Sequence, residues 1–254
     1  MSNPLLSVPA TGLTTAAAYL AAVAQDVANV DTPGFGASVP LVSEAASYPG
    51  RSASAAILGA TAPGRLVLDA GSVVAATPTT WTGMPTPTGT PTNLAIAGAG
   101  FFAVETPAGT TAYTRAGSFT PDAMGRLVLP DGSRLLPPVI IPPGAQWSIA
   151  PDGAVSVQGV AGQPVMLARF SNPGALVSLG RNLWAPSPAS GPPTFSTPGL
   201  NETGTLVSGA VNTSGVGLSG TFTDLMAAQS AYEANAAALR SGQQVLQSLT
   251  SQPL

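Results

Sequence analysis

The chain has 254 residues, 44% of them hydrophobic and only 7% charged, with 29 Gly, 26 Pro, no Cys and no His. Lacking thiol and imidazole, it has no means of forming disulfides, Ser-His-Asp triads or Cys/His zinc sites, and its eight basic residues are all Arg, which removes Schiff-base lysines and the lysine of a Walker phosphate loop. The net charge of −3, with the arginines scattered, leaves no basic stripe for nucleic acid. The first basic residue, Arg51, comes too late for a cleavable secretory signal, and the longest uninterrupted apolar stretch near the start, Ala16–Ala24, falls short of the ~18–20 residues of a membrane span. No membrane insertion is expected.

Taken in order, Leu6, Leu13, Leu20 and Val27 recur every seven residues, with Ala16, Val23 and Val30 three residues on, which is the a/d seam of a coiled coil. The spacing predicts a helix from Pro9 to Asn29, ended by Thr32-Pro33-Gly34. The Ala/Ser/Pro/Thr-rich residues 37–92 read as an extended connector or arm. Its last part, Thr77–Asn93, holds eight Thr and four Pro and predicts a polyproline-like run that packs only against a partner. Short β-rich runs follow: Asn93–Ala97, Phe101–Glu105, Thr111–Arg115, Ser118–Thr120, Arg126–Leu129, Arg134–Leu136, Val139–Ile141, Trp147–Ile149, Ala154–Val157 and Val165–Phe170. Turn signals at Pro107-Ala108-Gly109, Asp122–Gly125, Asp131-Gly132 and Asp152-Gly153 separate them, predicting an antiparallel meander. Leu218, Leu225, Tyr232, Leu239 and Leu246 then recur by sevens, with Phe222, Ala236 and Leu249 beside them, predicting a helix over Leu218–Leu249 capped by Ser219 or Thr221.

Chemistry is sparse. Gly98-Ala99-Gly100-Phe101-Phe102-Ala103 fits a loose dinucleotide pattern, yet strand formers and Pro107 follow where that fingerprint needs a helix. Asp122, Asp131 and Asp152 sit beside turn glycines and read as turn residues rather than catalytic carboxylates or calcium ligands. Arg115 and Arg134 are expected on the exposed face of the meander, their stems over aromatics.

The segment Ala28-Asn29-Val30-Asp31-Thr32-Pro33-Gly34-Phe35 after a heptad helix resembles the signature of the bacterial flagellar rod and hook proteins. Further blocks agree in order and spacing: Leu94-Ala95-Ile96 to Gly100-Phe101-Phe102, Tyr113–Phe119 with Gly125–Val128, and Gln229–Asn235. Within that family the distal rod type is the nearer likeness, on Asn172–Leu176 and Leu179–Trp184; proximal rod and hook types are the rivals. Gly36, Asn212, Gly215 and Ser230 depart from the family pattern, Asn212 standing where Glu is common and Ser230 where Arg is common.

The resemblance implies an α+β fold: N- and C-terminal helices pairing as a coiled-coil domain, and an antiparallel β-rich central domain. The corresponding division is 1–36 for the first helix and turn of an inner-tube domain, 37–92 for the connector, 93–210 for an outer β-domain, and 211–254 for the second helix. It implies a structural subunit without enzymatic activity or cofactor, polymerising into the axial drive shaft that carries torque from motor to hook. The expected assembly seam is Leu13, Leu20, Val23, Val27, Leu218, Phe222, Leu225, Tyr232, Leu239 and Leu246; the signature turn is Asn29, Thr32, Pro33, Gly34 and Phe35. Expected partners are further copies of the chain, other rod and hook proteins, the surrounding ring proteins and the flagellar type III export apparatus. The expected location is the basal body, with the rod in the periplasm and export without a cleaved signal peptide. From another class, a β-rich carbohydrate-binding surface module would need an exposed aromatic platform from three Trp far apart in sequence. A hydrolase would need Asp122 or Asp131 in one cleft.

Overall fold

The computed structural model describes residues 4–38, 41–44, 52–53, 66–67, 72–76 and 79–250. The chain divides into two compact units, one of residues 1–26, 38–78 and 218–254, the other of residues 27–37 and 79–217.

In the first unit, α1 (Pro4–Ala28) and α2 (Leu218–Thr250) are the only helices longer than a single turn among the described residues. Helix α1 starts five residues before the expected Pro9, which lies inside it. A proline there costs one i to i−4 hydrogen bond, tolerable near a helix start where the remaining Ala- and Leu-rich turns favour helix. Helix α2 starts at Leu218, so Ser219 and Thr221 belong to its first turn rather than preceding it. Leu6–Ala28 is long and apolar enough to cross a membrane, a property that counting uninterrupted apolar residues missed because Thr and Gly punctuate a helix without making it polar. The described parts of residues 38–78 form antiparallel pairs, Leu41–Glu44 with Ser72–Ala76 and Ser52–Ala53 with Leu66–Val67. The rest of the expected connector before Thr79 lies outside the described residues.

The second unit is built on an antiparallel sheet around the strand Phe101–Glu105. Thr111–Thr114 pairs with it on one side (Thr111 opposite Glu105, Thr114 opposite Phe102) and Arg134–Leu136 on the other, while Leu167–Arg169 takes its first residues. Beyond these lie Leu183–Ala185 and Val177–Gly180 at one edge, and Leu127–Val128 and Thr120–Pro121 at the other. Thr194–Ser196 pairs with Leu167–Arg169. The order is not that of a simple meander. Leu94–Ala97 pairs with Thr205–Ser208, more than a hundred residues away, instead of with its sequence neighbour, and Val139–Ile141 makes only one isolated bridge, Arg126 with Ile140.

Alternation along Phe101–Glu105 explains why this strand is central, since both of its faces are buried. Phe102 and Val104 face a core with Leu94, Ile96, Phe119, Leu127, Leu135, Val165 and Leu167. Phe101 and Ala103 face a second, aromatic core with Tyr113, Phe170, Leu176 and Trp184, joined by Trp81. Edge-to-face contacts organise it: Trp81 to Phe101 at 4.9 Å, Trp81 to Trp184 at 5.2 Å and Tyr113 to Phe170 at 4.9 Å between ring centroids. Trp81 therefore corrects the expectation that the Thr/Pro run packs only against a partner, since it packs on a core of its own chain. Thr79 is buried, and Pro85–Pro87 pairs antiparallel with Ala210–Asn212. A Thr/Pro run can serve as a sheet edge because edge positions do not require every N–H. Thr77 and Pro78 lie outside the described residues.

Candidate assembly helices and junction

Residues three and four apart share a helix face, so burial along α1 and α2 identifies their inward sides. On α1 the covered column is Pro9, Gly12, Ala16, Tyr19, Val23 and Asp26, of which Ala16, Val23 and Asp26 are buried. On α2 it is Thr221, Leu225, Ala228, Asn235, Leu239, Gly242 and Leu246, with Thr221 and Ala228 buried. The helices touch at Gly12, where a Cβ would lie 2.4 Å from Asn235 Oδ1. Burial, and secondarily the nearby Asp224 carboxylate, raise the pKa of the Tyr19 phenol, so these two residues also lie near each other. Gly12 opposite Asn235 and Tyr19 near Asp224 fix the pair as antiparallel.

The ten expected seam residues occupy different positions on these helices. Val23 is buried, and Leu13, Leu20, Val27, Leu225, Leu239 and Leu246 are half-buried. Leu218, Phe222 and Tyr232 are exposed, at 47%, 50% and 43%. Met226 and Val245, which the heptad count passed over, are exposed as well.

Asp26, near the C-terminal end of α1, accepts the backbone N–H of Ser38 at 3.0 and 3.2 Å to its two carboxylate oxygens. Burial raises its pKa to about 6, against the lowering effect of that hydrogen bond. The signal in the sequence was a lone carboxylate within an apolar helix.

The signature turn belongs to the second unit and is seated in it. Thr32 N–H bonds to Asn29 O at 3.0 Å, and the Thr32 hydroxyl bonds to Asn29 Oδ1 at 3.1 Å, folding the turn on itself. Pro33 O accepts from Asn182 Nδ2 at 2.9 Å, and Gly34 N–H donates to Asn212 O at 2.8 Å. Phe35 is buried, and its carbonyl accepts from Gly215 N–H at 2.8 Å. Gly34 has φ +69°, and a Cβ there would lie 2.4 Å from the Arg115 carbonyl carbon and oxygen, so only glycine fits without displacement. Segments far apart in sequence thus meet at one place, and the peptides leading from α1 and into α2 are bonded to each other there.

Two residues behind the turn hold this junction. The Asn212 side chain accepts from Ile96 N–H at 2.8 Å and donates to Ile96 O at 2.9 Å and Gly83 O at 3.2 Å. Arg115 is buried, not exposed as the alternation suggested, and donates to the carbonyls of Gly98, Ile96 and Trp81 at 2.5, 3.3 and 3.5 Å. Its guanidinium carbon lies 6.0 Å from the Phe101 ring centroid, and no ion pair among the described residues reaches it. Burial lowers its pKa to about 10, leaving it charged at neutral pH. Arg134, by contrast, is half-exposed and pairs with Glu105 at 3.9 Å. Arg115 lies within the family-like block Tyr113–Phe119 and Asn212 stands where Glu is common, but neither has a sequence feature that reports a buried hydrogen-bonding role.

The carboxylates considered for catalysis are occupied within their own turns. Asp122 accepts the N–H groups of Met124 and Arg126 and pairs with the Arg126 guanidinium at 2.7 Å, which holds its pKa below the usual value. Asp131 accepts from the Ser133 N–H and hydroxyl, and Asp152 from Ala154 N–H. An open groove lined by Arg169, Phe170, Ser171, Thr194, Ser196, Asn201 and Thr203 carries Arg169 already paired with Glu202.

Two family models match the chain: the flagellar hook protein FlgE/F/G D1 domain over residues 95–157, and the flagellar basal body rod FlgEFG protein C-terminal region over residues 207–252. The flagellar basal-body rod protein FlgG of Buchnera aphidicola (subspecies Acyrthosiphon pisum) is 37% identical, covering 97% of this chain and 98% of its own. FlgG of Bacillus subtilis is 34% identical over 90% of this chain and 91% of its own, and FlgG of Caulobacter vibrioides 38% identical over 67% of each. The chain belongs to the FlgG family of flagellar basal-body rod proteins, the structural subunits of the distal rod.

Proposed function

We propose that α1 and α2 are the assembly device of this rod subunit, pairing as an antiparallel coiled coil that becomes secure when neighbouring copies cover it. One observation carries this reading. Helix α2 leaves Leu218, Phe222, Met226, Tyr232 and Val245 at 43–60% exposure. A helix pair of this kind is marginal in water, and each Leu, Phe or Met covered by a neighbour adds about 1.5–3 kcal/mol.

The domain division at 1–36, 37–92, 93–210 and 211–254 then has a mechanical sense. The helices of many copies form the inner wall of a shaft in the periplasm, and the β-domains form its outer layer. The shaft carries torque from motor to hook by packing alone, with no catalytic step and no cofactor. Leu13, Leu20, Val23, Val27, Leu225, Leu239 and Leu246 supply the pairing, and Leu218, Phe222 and Tyr232 the contacts to further copies. The turn Asn29, Thr32, Pro33, Gly34 and Phe35 sets where the chain leaves the inner layer. Other rod and hook proteins adjoin the ends of the distal rod and ring proteins surround it. The subunit reaches its place through the type III export apparatus, its helices ordering as the rod grows.

The test is a charge in the pairing column. Leu225→Asp or Leu239→Asp, expressed in cells whose own copy is deleted, abolishes swimming and leaves basal bodies without distal rods in electron micrographs. Normal rods in both variants refute the role assigned to the column.

A further inference from the structure

Helix α2 has 33 residues and three charges, Asp224, Glu233 and Arg240. Asp224 is the charge near Tyr19 on α1. Glu233 and Arg240 are both exposed, and neither forms an ion pair among the described residues. They are seven residues apart, hence on one column, and seven residues before Glu233 stands Met226, 60% exposed. At about 100° per residue this column lies roughly 140° around the helix from Ala228, away from the side facing α1. It reads apolar, negative, positive, beginning beside the exposed Leu218 and Phe222.

Glu233 and Arg240 are about 10.5 Å apart along their own helix, too far to pair with each other. The column is complementary to itself after a shift of one heptad: Arg240 of one copy comes level with Glu233 of the next, and Glu233 of the first with Met226 of the second. We propose that Met226, Glu233 and Arg240 form the lateral contact between neighbouring copies, with their α2 helices parallel and staggered by one heptad. An antiparallel arrangement would also join the charges, but it pairs both at once and closes a dimer. The staggered contact leaves one charge of each copy free for a further neighbour, and only such a head-to-tail contact continues into a rod. Opposite charges on this column set register and exclude other staggers, and the apolar residues supply the buried surface. This inference rests on the reading of the terminal helices as the assembly device.

The chain has no cysteine, so cross-linking is clean. In a Glu233→Cys/Arg240→Cys double variant the two thiols are too distant for an intrachain disulfide. Oxidation of cells carrying it is expected to give an open-ended ladder of multimers on non-reducing gels, because each copy bonds to two different neighbours. Absence of the ladder in cells that still swim overturns the proposal, and a single dimer band overturns the parallel stagger. As a second measurement, Glu233→Arg and Arg240→Glu each reduce the swimming fraction by about tenfold or more through a like-charge contact in every subunit. The double reversal restores swimming; single reversals that swim as wild type refute the contact. If deleting the whole chain leaves distal rods intact, the assembly reading fails instead, and the two failures are distinguishable.

Discussion

Replacing Gly34 with alanine tests the junction directly. The backbone at φ +69° costs an L-residue about 1–2 kcal/mol. The added Cβ would lie 2.4 Å from the Arg115 carbonyl and 2.5 Å from Ala116 N, and relieving such overlap by shifting backbone costs about 1–3 kcal/mol. That shift also breaks the 2.8 Å bond from Gly34 N–H to Asn212 O, roughly 1 kcal/mol more. The expected loss is about 3–6 kcal/mol, a fall of at least about 1 M in the urea midpoint for a domain of this size. Trp81, Trp147 and Trp184 all lie in the second unit, so tryptophan fluorescence follows its unfolding without reporting on the helices. Gly144→Ala supplies the control: its φ is +74°, but nothing lies within 4 Å of the added Cβ, so only the backbone term of about 1–2 kcal/mol remains. Equal midpoints for the two variants would refute the claim that the turn is clamped against Arg115.

Two further outcomes follow from the same geometry. Asn212→Ala removes three hydrogen bonds in a buried setting, leaves Ile96 N–H without its acceptor, and is expected to cost about 2–4 kcal/mol in the same fluorescence titration; a loss below about 0.5 kcal/mol contradicts its role. Asp26 has a folded-state pKa raised to about 6, above its usual value near 4, so the folded state holds the proton more tightly. Its contribution to stability is therefore greatest below about pH 4 and is lost as pH rises to about 6, and Asp26→Asn should flatten that fall and raise the helix melting temperature at pH 7–8. Circular dichroism at 222 nm across that range checks it, and an unchanged pH slope in the variant rejects it.

Much of the fold was readable because its signals are local. The seven-residue recurrence placed both helices, and Asp–Gly pairs marked turns whose hydrogen bonds are those such residues make with their own backbone. Strand partners were not readable. Leu94–Ala97 has the same β-forming character whether it pairs with Phe101 or with Thr205–Ser208, and only the filling of a core on both faces of Phe101–Glu105 decides between them. The helix faces were only partly legible for a related reason. Counting large apolar residues favours the leucine column, whereas part of the contact is made by a residue without a side chain, Gly12, which leaves room for the polar Asn235. Arg115 was misplaced because strand alternation says which way a side chain points, not whether backbone carbonyls wait to receive it.

The bonds from Gly34 to Asn212 and from Gly215 to Phe35 join residues about 180 positions apart. A ribosome, or any channel that passes the chain amino end first, delivers the opening helix long before the segment that anchors its exit. The turn is thus fastened only once a segment made about 180 residues later has emerged, which postpones closure of the β-rich unit.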